Sequence, residues 1–362
     1  MIVSGMELYR YEVRFKEPVK LEDATLHHRE GALVRLIADD GSEGWGEAAP
    51  LPGFSTESLR EAMRQLRTMA PVLVGREMPT SLSVLRDPPP TELARLAPSV
   101  RFGLELGLLN LTAASQGETL LDLLTDHARS TISVNGLLSG SGESVLANAS
   151  SMREEGYGAV KLKVGRREVA EDVEVVRGVW EILGGGVSLR LDANRAWGFD
   201  GAVRFADGIS GVRVEYVEEP LAEPARLSEL ARAWGLPVAL DESLSGMSSG
   251  DLGWHPYVGA VVLKPTLLGG VSRTLRFSEE ARTLGMAPVV SSSYEAGVGT
   301  GALVALAAAV GDEPAGLDTY RALAEDAIER PLQLPAPSLD VRGTMEAARR
   351  VDVGRLEPVA LG

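Results

Sequence analysis

The sequence predicts an α/β barrel of the TIM type, preceded by a smaller α+β capping segment. Three observations support this fold class. From about residue 131 onward, short β-branched runs alternate with amphipathic helical stretches. The polar residues that end successive runs recur every 23 to 29 residues, which suits a repeating strand–helix unit. Before that region, two runs alternate apolar and polar residues as antiparallel strands do.

The capping segment contains both strand and helix patterns. Residues 7–15 and 32–38 alternate like antiparallel strands, and the turn signal Asp39-Asp40-Gly41 follows the second run. Residues 58–70 carry a helical pattern. Strands followed by a helix, without the strand–helix repeat seen later, indicate a separate α+β unit.

Eight strand-like runs follow in the second part of the chain. They lie at residues 132–137, 159–164, 187–192, 212–218, 238–241, 260–264, 288–292 and 316–319. Between them come helical patterns such as residues 169–180, with apolar residues at i, i+3, i+4 and i+7. Regular strand–helix units build a parallel sheet, and eight of them suggest closure into a barrel.

These patterns divide the chain into two domains. We expect residues 1–105 to form the capping domain and residues 106–330 to form the barrel. The last strand–helix unit is short of a full helix, because prolines interrupt the pattern soon after Arg330. The C-terminal segment, residues 331–362, contains a strand-like stretch and is expected to pack back on the cap.

Composition and charge exclude several classes of function. No run of 18 apolar residues is present, so the sequence predicts no membrane span, and the first ten residues lack a signal-peptide pattern. We therefore expect a cytoplasmic protein. The absence of cysteine excludes disulfides and thiolate metal sites. A net charge of −15 argues against nucleic acid as a partner. A small anionic substrate remains compatible, because a bound cation reverses the field locally. The sequence leaves the oligomeric state open.

Lysine is scarce in this chain, and its positions are informative. There are five lysines against thirty-one arginines. Lys161, Lys163 and Lys264 lie in apolar, strand-like runs. A lysine whose pKa is lowered by its surroundings can act as a base, whereas arginine stays protonated. The pattern therefore predicts amines with a chemical role.

Three carboxylates end the strands between those lysines: Asp192, Glu218 and Asp241. The carboxyl ends of the strands of such a barrel meet at one edge, where active sites form. Three carboxylates from adjacent strands can converge on one hard divalent cation. The sequence therefore predicts a metal site flanked by amines. A buried ionic network that merely closes the barrel is the alternative interpretation.

The order of these motifs resembles the enolase superfamily, in the branch with a catalytic lysine on each side of the metal. The matching motifs are Lys-x-Lys at 161–163, Asp-x-Asn at 192–194, Glu-Glu-Pro at 218–220, Asp-Glu-Ser at 241–243 and Leu-Lys-Pro at 263–265. The resemblance implies a modified (β/α)7β barrel with an N-terminal α+β cap. Residues 44–55, 98–103 and 189–197 resemble the o-succinylbenzoate synthases of menaquinone biosynthesis in particular.

The resemblance also implies a role for each matching residue. Asp192, Glu218 and Asp241 would bind Mg²⁺, with Mn²⁺ as an alternative, and Glu218 is preferred over its neighbour in the Glu-Glu-Pro motif. Lys163 would be the base. Lys161 would lower the pKa of that base and help to hold the substrate carboxylate. Lys264 would lie on the opposite face of the substrate. Glu242 occupies a position that some relatives use as a further ligand.

The predicted substrate-binding residues lie at strand ends or in loops near the barrel mouth: Arg190, Asn194, Ser291, Ser292, Gly297, Pro52 and Phe54. Arg190 shares a strand face with Asp192 and is expected to orient it or to hold substrate. Gly297 opens a helical run, so its backbone is expected to approach an anionic group, with helix packing as the alternative. Pro52 and Phe54 belong to a loop that, in the family, closes over the mouth.

The activity implied by the resemblance is that of an o-succinylbenzoate synthase. The substrate would be a small carboxylate, 2-succinyl-6-hydroxy-2,4-cyclohexadiene-1-carboxylate, which loses water through an enediolate intermediate to give 2-succinylbenzoate. Two alternatives stay open. The same lysines suit racemisation or epimerisation of N-acylamino acids or dipeptides. A metal-binding barrel without catalysis is the alternative from another class.

Overall fold

The structure of the protein, a computed structural model, describes residues 1–21, 24–77, 91–334 and 337–361. Its strands are β1 (Val3–Lys20), β2 (Thr25–Ala38), β3 (Glu43–Ala48), β4 (Thr131–Ser133), β5 (Gly136–Leu138), β6 (Ala159–Lys163), β7 (Ser188–Asp192), β8 (Tyr216–Glu218), β9 (Val238–Leu240), β10 (Val258–Leu263), β11 (Ala287–Val290), β12 (Ser338–Asp340) and β13 (Glu357–Val359).

The α-helices are α1 (Leu59–Leu73), α2 (Thr91–Ala94), α3 (Pro98–Ser115), α4 (Leu120–Leu124), α5 (Gly142–Glu154), α6 (Val169–Leu183), α7 (Phe199–Gly208), α8 (Leu227–Trp234), α9 (Pro265–Leu268), α10 (Val271–Thr283), α11 (Gly297–Val310) and α12 (Val341–Ala348). Short 3-10 helices cover Pro224–Arg226, Glu242–Gly246, Ser249–Trp254, Asp318–Ala322 and Val353–Arg355. Among the described residues, no helix combines the length and apolar character needed to cross a bilayer.

The cap is a four-stranded antiparallel sheet in the order β13-β1-β2-β3, with helices on one face. Helix α1 starts where the sequence predicts, because Ser58 and Glu61 form a reciprocal capping box. Helix α3 lies so close to β3 that a Cβ at Gly46 would be 1.8 Å from the carbonyl oxygen of Gly103. Glycine is therefore required where this helix crosses the sheet.

The second part of the chain is a parallel sheet of seven strands in the order β11-β10-β9-β8-β7-β6-β5. Its two edges are joined by one short segment, in which Ala315 bridges Val134 and Gly316 bridges Ser291. The predicted barrel class is thus confirmed. The eighth strand, expected at 316–319, is reduced to these two bridges and then turns into a 3-10 helix.

The C-terminal segment contacts both parts of the molecule. Strand β12 pairs with β4 beside the barrel, and helix α12 packs against α11. Strand β13 then pairs with β1 at the edge of the cap sheet. The sequence-based boundary at residues 105 and 106 falls inside helix α3, which packs mainly against cap strands β2 and β3.

Candidate active site

The strand order of the barrel brings the predicted chemical residues side by side. Lys163 on β6, Asp192 on β7 and Glu218 on β8 are direct register partners across three parallel strands. Asp241 follows β9, and Lys264 follows β10. All five therefore lie at the carboxyl edge of the same sheet, since parallel strands end at the same side.

The lysines pair with the carboxylates in this structure. The Lys161 Nζ lies 3.1 Å from Asp192 Oδ2 and 3.2 Å from Glu218 Oε2. The Lys163 Nζ lies 2.5 Å from the same Asp192 oxygen and donates to Asn194 Oδ1 at 2.7 Å. Lys264 donates to Asp241. The charges of three ammonium groups and three carboxylates balance within this cluster.

Burial and neighbouring charges shift the pKa values of the three lysines in different directions. Burial lowers the pKa of Lys163, and the ammonium groups of Lys161 and Lys264 add to that effect against the attraction of Asp192. Burial also acts on Lys161 and Lys264, but nearby carboxylates outweigh it and raise the pKa of each. Lys163 is therefore the amine of the three that most readily gives up its proton.

The carboxylates are a suitable donor set for a divalent cation. Asp192 and Glu218 are fully buried, and burial together with repulsion from Asp192 and Asp241 raises the pKa of Glu218 well above its usual value. A hard cation stabilises carboxylate oxygens that lie this close together. Among the described residues, no three acidic or histidine side chains are already grouped for a metal, because these carboxylates point at the lysines. The donor chemistry fits Mg²⁺, and the lysine contacts would have to loosen on binding.

The two adjacent glutamates of the Glu-Glu-Pro motif have different environments. Glu219 points away from the cluster: it accepts hydrogen bonds from Arg195, from the Ser243 hydroxyl and from the backbone N–H groups of Asp241 and Ser243. Its backbone has a φ of 40°, in the left-handed region. Glu219 therefore fixes the loop that carries Asp241, a positioning function that sequence reasoning missed.

Glu242 also lies beside the cluster. Burial, followed by repulsion from Asp241, raises the pKa of Glu242 to about 7. Its Oε1 accepts a hydrogen bond from the Asn194 amide at 3.0 Å, and its Oε2 has no hydrogen-bond partner in the part of the chain that the structure describes. Because Asn194 bonds both Glu242 and Lys163, it links this carboxylate to the amine with the lowered pKa.

A cavity of about 580 Å³ opens above these residues, between the barrel and the cap. Of the predicted substrate-binding residues, Asn194, Ser291, Ser292 and Phe54 line it. Pro52 is exposed and is not part of the cavity wall. The end of β1, residues 16–20, also lines the cavity.

Arg190 does not reach the cavity, so the prediction that it binds substrate is wrong. Its side chain is fully buried and forms two hydrogen bonds to Glu215, at 2.9 and 3.0 Å. It also bonds Glu313, the Asn135 side chain and the Pro314 carbonyl. Arg190 therefore belongs to an ionic network with partly exposed glutamates that ties the strands together away from the cavity.

Gly297 is likewise not available to a substrate. Its N–H donates to Asp326 Oδ1 at 2.9 Å, while the N–H groups of Ala296 and Gly299 donate to Glu47 at 2.8 and 2.7 Å. The N-terminus of α11 does bind anions, as its chemistry predicts. The anions are the protein's own carboxylates, and one of them comes from the cap.

Arg29 holds the cap loops against the barrel, a role that no local sequence pattern indicates. This buried side chain donates hydrogen bonds only to backbone carbonyls, including Pro50 at 2.8 Å in the cap and Tyr294 at 2.9 Å after β11. Tyr294 has a φ of 62°, and its ring meets Phe15 of β1 edge-on, with ring centroids 5.7 Å apart. These contacts hold the cavity wall in place where the cap and the barrel meet.

Comparison with known proteins places this architecture in a family. The family described as Enolase C-terminal domain-like matches residues 144–344, and the MenC N-terminal domain matches residues 3–111. The chain is 32% identical over 310 residues to the o-succinylbenzoate synthase of Haemophilus influenzae, covering 85% of this chain and 87% of that protein.

Two further similarities extend the comparison. Protein PHYLLO of Arabidopsis thaliana, chloroplastic, is 30% identical over 365 residues, covering 90% of this chain but only 21% of that longer protein. A dipeptide epimerase from Enterococcus faecalis, solved with Mg and the dipeptide L-Leu-L-Tyr, has the same fold, with a TM-score of 0.84. That likeness covers 99% of this chain and 100% of the epimerase at 19% identity. The chain belongs to the enolase superfamily.

Proposed function

We propose that this protein is an o-succinylbenzoate synthase that dehydrates 2-succinyl-6-hydroxy-2,4-cyclohexadiene-1-carboxylate to 2-succinylbenzoate. One observation carries the proposal. Lys163 and Lys264 line the same cavity and are separated by three strands, each of which contributes one buried carboxylate. This arrangement suits removal of a proton next to a substrate carboxylate. The similarity to o-succinylbenzoate synthases over most of the chain supports that reaction.

Lys163 is the proposed base. A base must be neutral, and burial with two neighbouring ammonium groups lowers the pKa of Lys163. Its amine takes the proton from the ring carbon that bears the carboxylate. The ammonium group that results can then donate this proton to the departing hydroxyl, so that water leaves and the ring becomes aromatic. Asn194, which accepts a hydrogen bond from Lys163, holds the amine in place.

Charge develops on the substrate carboxylate when the proton leaves. A Mg²⁺ ion held by Asp192, Glu218 and Asp241 would stabilise the two negative oxygens of the enediolate. Lys264 stays cationic, since nearby carboxylates raise the pKa of Lys264 against the effect of burial. Its ammonium group lies at the cavity surface, where it can stabilise the same negative charge from another side.

The test is direct. The purified protein is incubated with Mg²⁺ and the cyclohexadiene substrate, and formation of the aromatic product is followed in the ultraviolet. We expect turnover by the wild type, and a loss of at least about a hundredfold in kcat for Lys163→Ala. Lys163→Arg is the matched control, because it keeps a cation beside Asp192 but cannot act as a base. Full turnover by either variant, with an unchanged circular dichroism spectrum, would refute the assignment of Lys163.

Racemisation or epimerisation is the second candidate, and the same separation of Lys163 from Lys264 favours it. A racemase needs one base on each face of the α-carbon, and Lys163 and Lys264 would be those two amines. In heavy water, such an enzyme exchanges the α-proton of N-succinylamino acids or dipeptides for deuterium. Exchange without dehydration would favour this candidate. Absence of both reactions would favour a metal-binding barrel without catalysis.

A further inference from the structure

All five lysines of the chain line one cavity. Three of them form the catalytic cluster, and the other two, Lys16 and Lys20, come from the end of strand β1 in the cap. Seven cationic residues of the described part of the chain line this cavity, and those seven include every lysine. A chain that otherwise uses arginine has therefore placed flexible amines in both the cap and the barrel walls of one site.

Lys16, Lys20 and Arg166 form what we call the mouth cations. Each is exposed, and no hydrogen bond or ion pair joins the side chain of any of them to another described residue. The seventh cation, Arg321, is different because it pairs with Asp318 at 3.3 Å. Glu17 supplies one negative charge nearby. The mouth cations thus leave a net positive charge at the outer end of the cavity, in a protein whose net charge is −15.

The backbone around Arg166 explains why this side chain lies along the cavity. Asp172 accepts hydrogen bonds from the Gly165 N–H at 2.6 Å and from the Arg167 guanidinium at 2.9 Å. This anchors both neighbours of Arg166 on the helix side of the loop after β6. Arg166 itself remains at the cavity wall, close enough to Tyr294 for its charge to oppose the rise that burial causes in the pKa of that tyrosine.

We infer that the mouth cations bind a second anionic group of the substrate, at the end of the cavity remote from the catalytic lysines. The inference deepens the proposed function and rests on it for the class of substrate. It selects a dicarboxylate whose reacting carboxylate lies at the base of the cavity and whose second carboxylate lies at the mouth. Lysine suits the cap positions because its ammonium group carries three rotatable donors on a flexible stem.

Hydroxyl groups add to the polar character of the cavity wall. Ser293 and Thr319 line the cavity, and the hydroxyl oxygen of each is buried without a hydrogen-bond partner among the described residues. Buried hydroxyls normally have hydrogen-bond partners, so two hydroxyls without partners on a cavity wall suit a polar ligand. The mouth cations supply the positive charge opposite an anionic ligand. A ligand with an apolar tail would leave both kinds of group without partners.

The experiment measures binding rather than turnover. Calorimetry with Mg²⁺ present compares 2-succinylbenzoate with 2-butyrylbenzoate, which keeps the ring carboxylate and the ketone but has a methyl group in place of the remote carboxylate. We expect the wild type to bind the dicarboxylate at least about tenfold more tightly, the scale of one charge-assisted hydrogen bond. Arg166→Gln and Lys16→Gln should each reduce that preference several-fold and leave 2-butyrylbenzoate binding unchanged.

Arg67→Gln is the matched control. It removes one positive charge from an exposed position on the cap helix α1, away from the cavity, and should not alter the preference. If the ligands were attracted only by the overall charge of the protein, all three variants would bind both ligands more weakly than the wild type. The inference is overturned if the wild type shows no preference, if it binds neither ligand, or if Arg166→Gln and Lys16→Gln both retain the preference.

The two proposals can be refuted separately. If the wild type does not dehydrate the cyclohexadiene substrate but prefers the dicarboxylate through Arg166, the proposed function is refuted and the mouth site stands. If the wild type dehydrates that substrate and the mouth variants keep the full preference, the proposed function stands and the mouth site is refuted.

Discussion

Replacing Glu47 with glutamine is expected to change how the stability of the protein depends on pH. Glu47 lies on strand β3 of the cap and is fully buried against the N-terminus of helix α11. It accepts hydrogen bonds from Tyr11 at 2.7 Å and from the N–H groups of Ala296 and Gly299. These donors favour the carboxylate, but burial outweighs them and raises the pKa of Glu47 from 4.5 to about 7.

The sign of the effect follows from proton linkage. An acid whose pKa is higher in the folded state binds protons more tightly when folded, so its contribution is fully present below about pH 4.5. That contribution is lost as the pH rises through the folded pKa of about 7. Between pH 5.5 and 8, a shift from 4.5 to about 7 corresponds to a loss of about 2 kcal/mol in the free energy of unfolding.

The assay is urea unfolding of the wild type and of Glu47→Gln at both pH values. Glutamine does not titrate, so the variant should lack the contribution of position 47 to the pH dependence of the free energy of unfolding. All other ionisable groups are common to both proteins, and the difference between the two pH dependences isolates position 47. The wild type should lose about 2 kcal/mol more than the variant between pH 5.5 and 8. Parallel pH dependences would show that Glu47 titrates in its ordinary range, and the reasoning from burial would then fail.

Three further variants test how the cap and the site are held. Arg29→Met should lower the free energy of unfolding by about 2–4 kcal/mol in urea titrations, because several buried carbonyls lose their donor. Glu219→Gln should leave the fold intact by circular dichroism and raise the Mg²⁺ concentration for half-maximal dehydration by about tenfold, because Asp241 loses its support. Gly46→Ala should cost more than about 3 kcal/mol in unfolding free energy, since its Cβ would meet helix backbone at 1.8 Å, whereas Gly158→Ala, with nothing within 4 Å, should change stability by less than about 0.5 kcal/mol.

The sequence predicted the barrel strands well because their signal is local. Runs of β-branched residues mark β6, β7 and β10 within one or two residues of their observed limits. The eighth strand was harder to predict from the sequence, because residues 315 and 316 join the barrel only through bridges to Val134 and Ser291. Such bridges depend on the closure of the whole sheet. A sequence window around residue 316 therefore contains little information about them.

The errors in the site have a related cause. Alternation along β7 places Arg190 and Asp192 on one face, and the structure agrees with that. Two residues along a strand span roughly 7 Å, however, so the arginine lies deeper and meets Glu215 instead of a substrate. The pattern predicts the face but not the depth. Gly297 shows the same limit, because the carboxylate of Glu47 that caps its helix lies about 250 residues earlier in the chain.

The cluster of lysines and carboxylates alone does not determine the reaction. In the mechanisms proposed above, Lys163 and Lys264 would remove or return a proton whether the product is an aromatic ring or an inverted α-carbon. Both proposed reactions share the charge that would develop on the first carboxylate. They differ in what the rest of the substrate presents to the cavity: a ring with a leaving hydroxyl group, or a peptide-like chain. Specificity therefore depends on the walls, and here those walls come from the cap end of β1 and from the loops after β6 and β11. Because Arg29 donates to the Tyr294 carbonyl after β11 and to the Pro50 carbonyl after β3, a change in the cap sheet can alter substrate choice while the lysines and carboxylates stay in place.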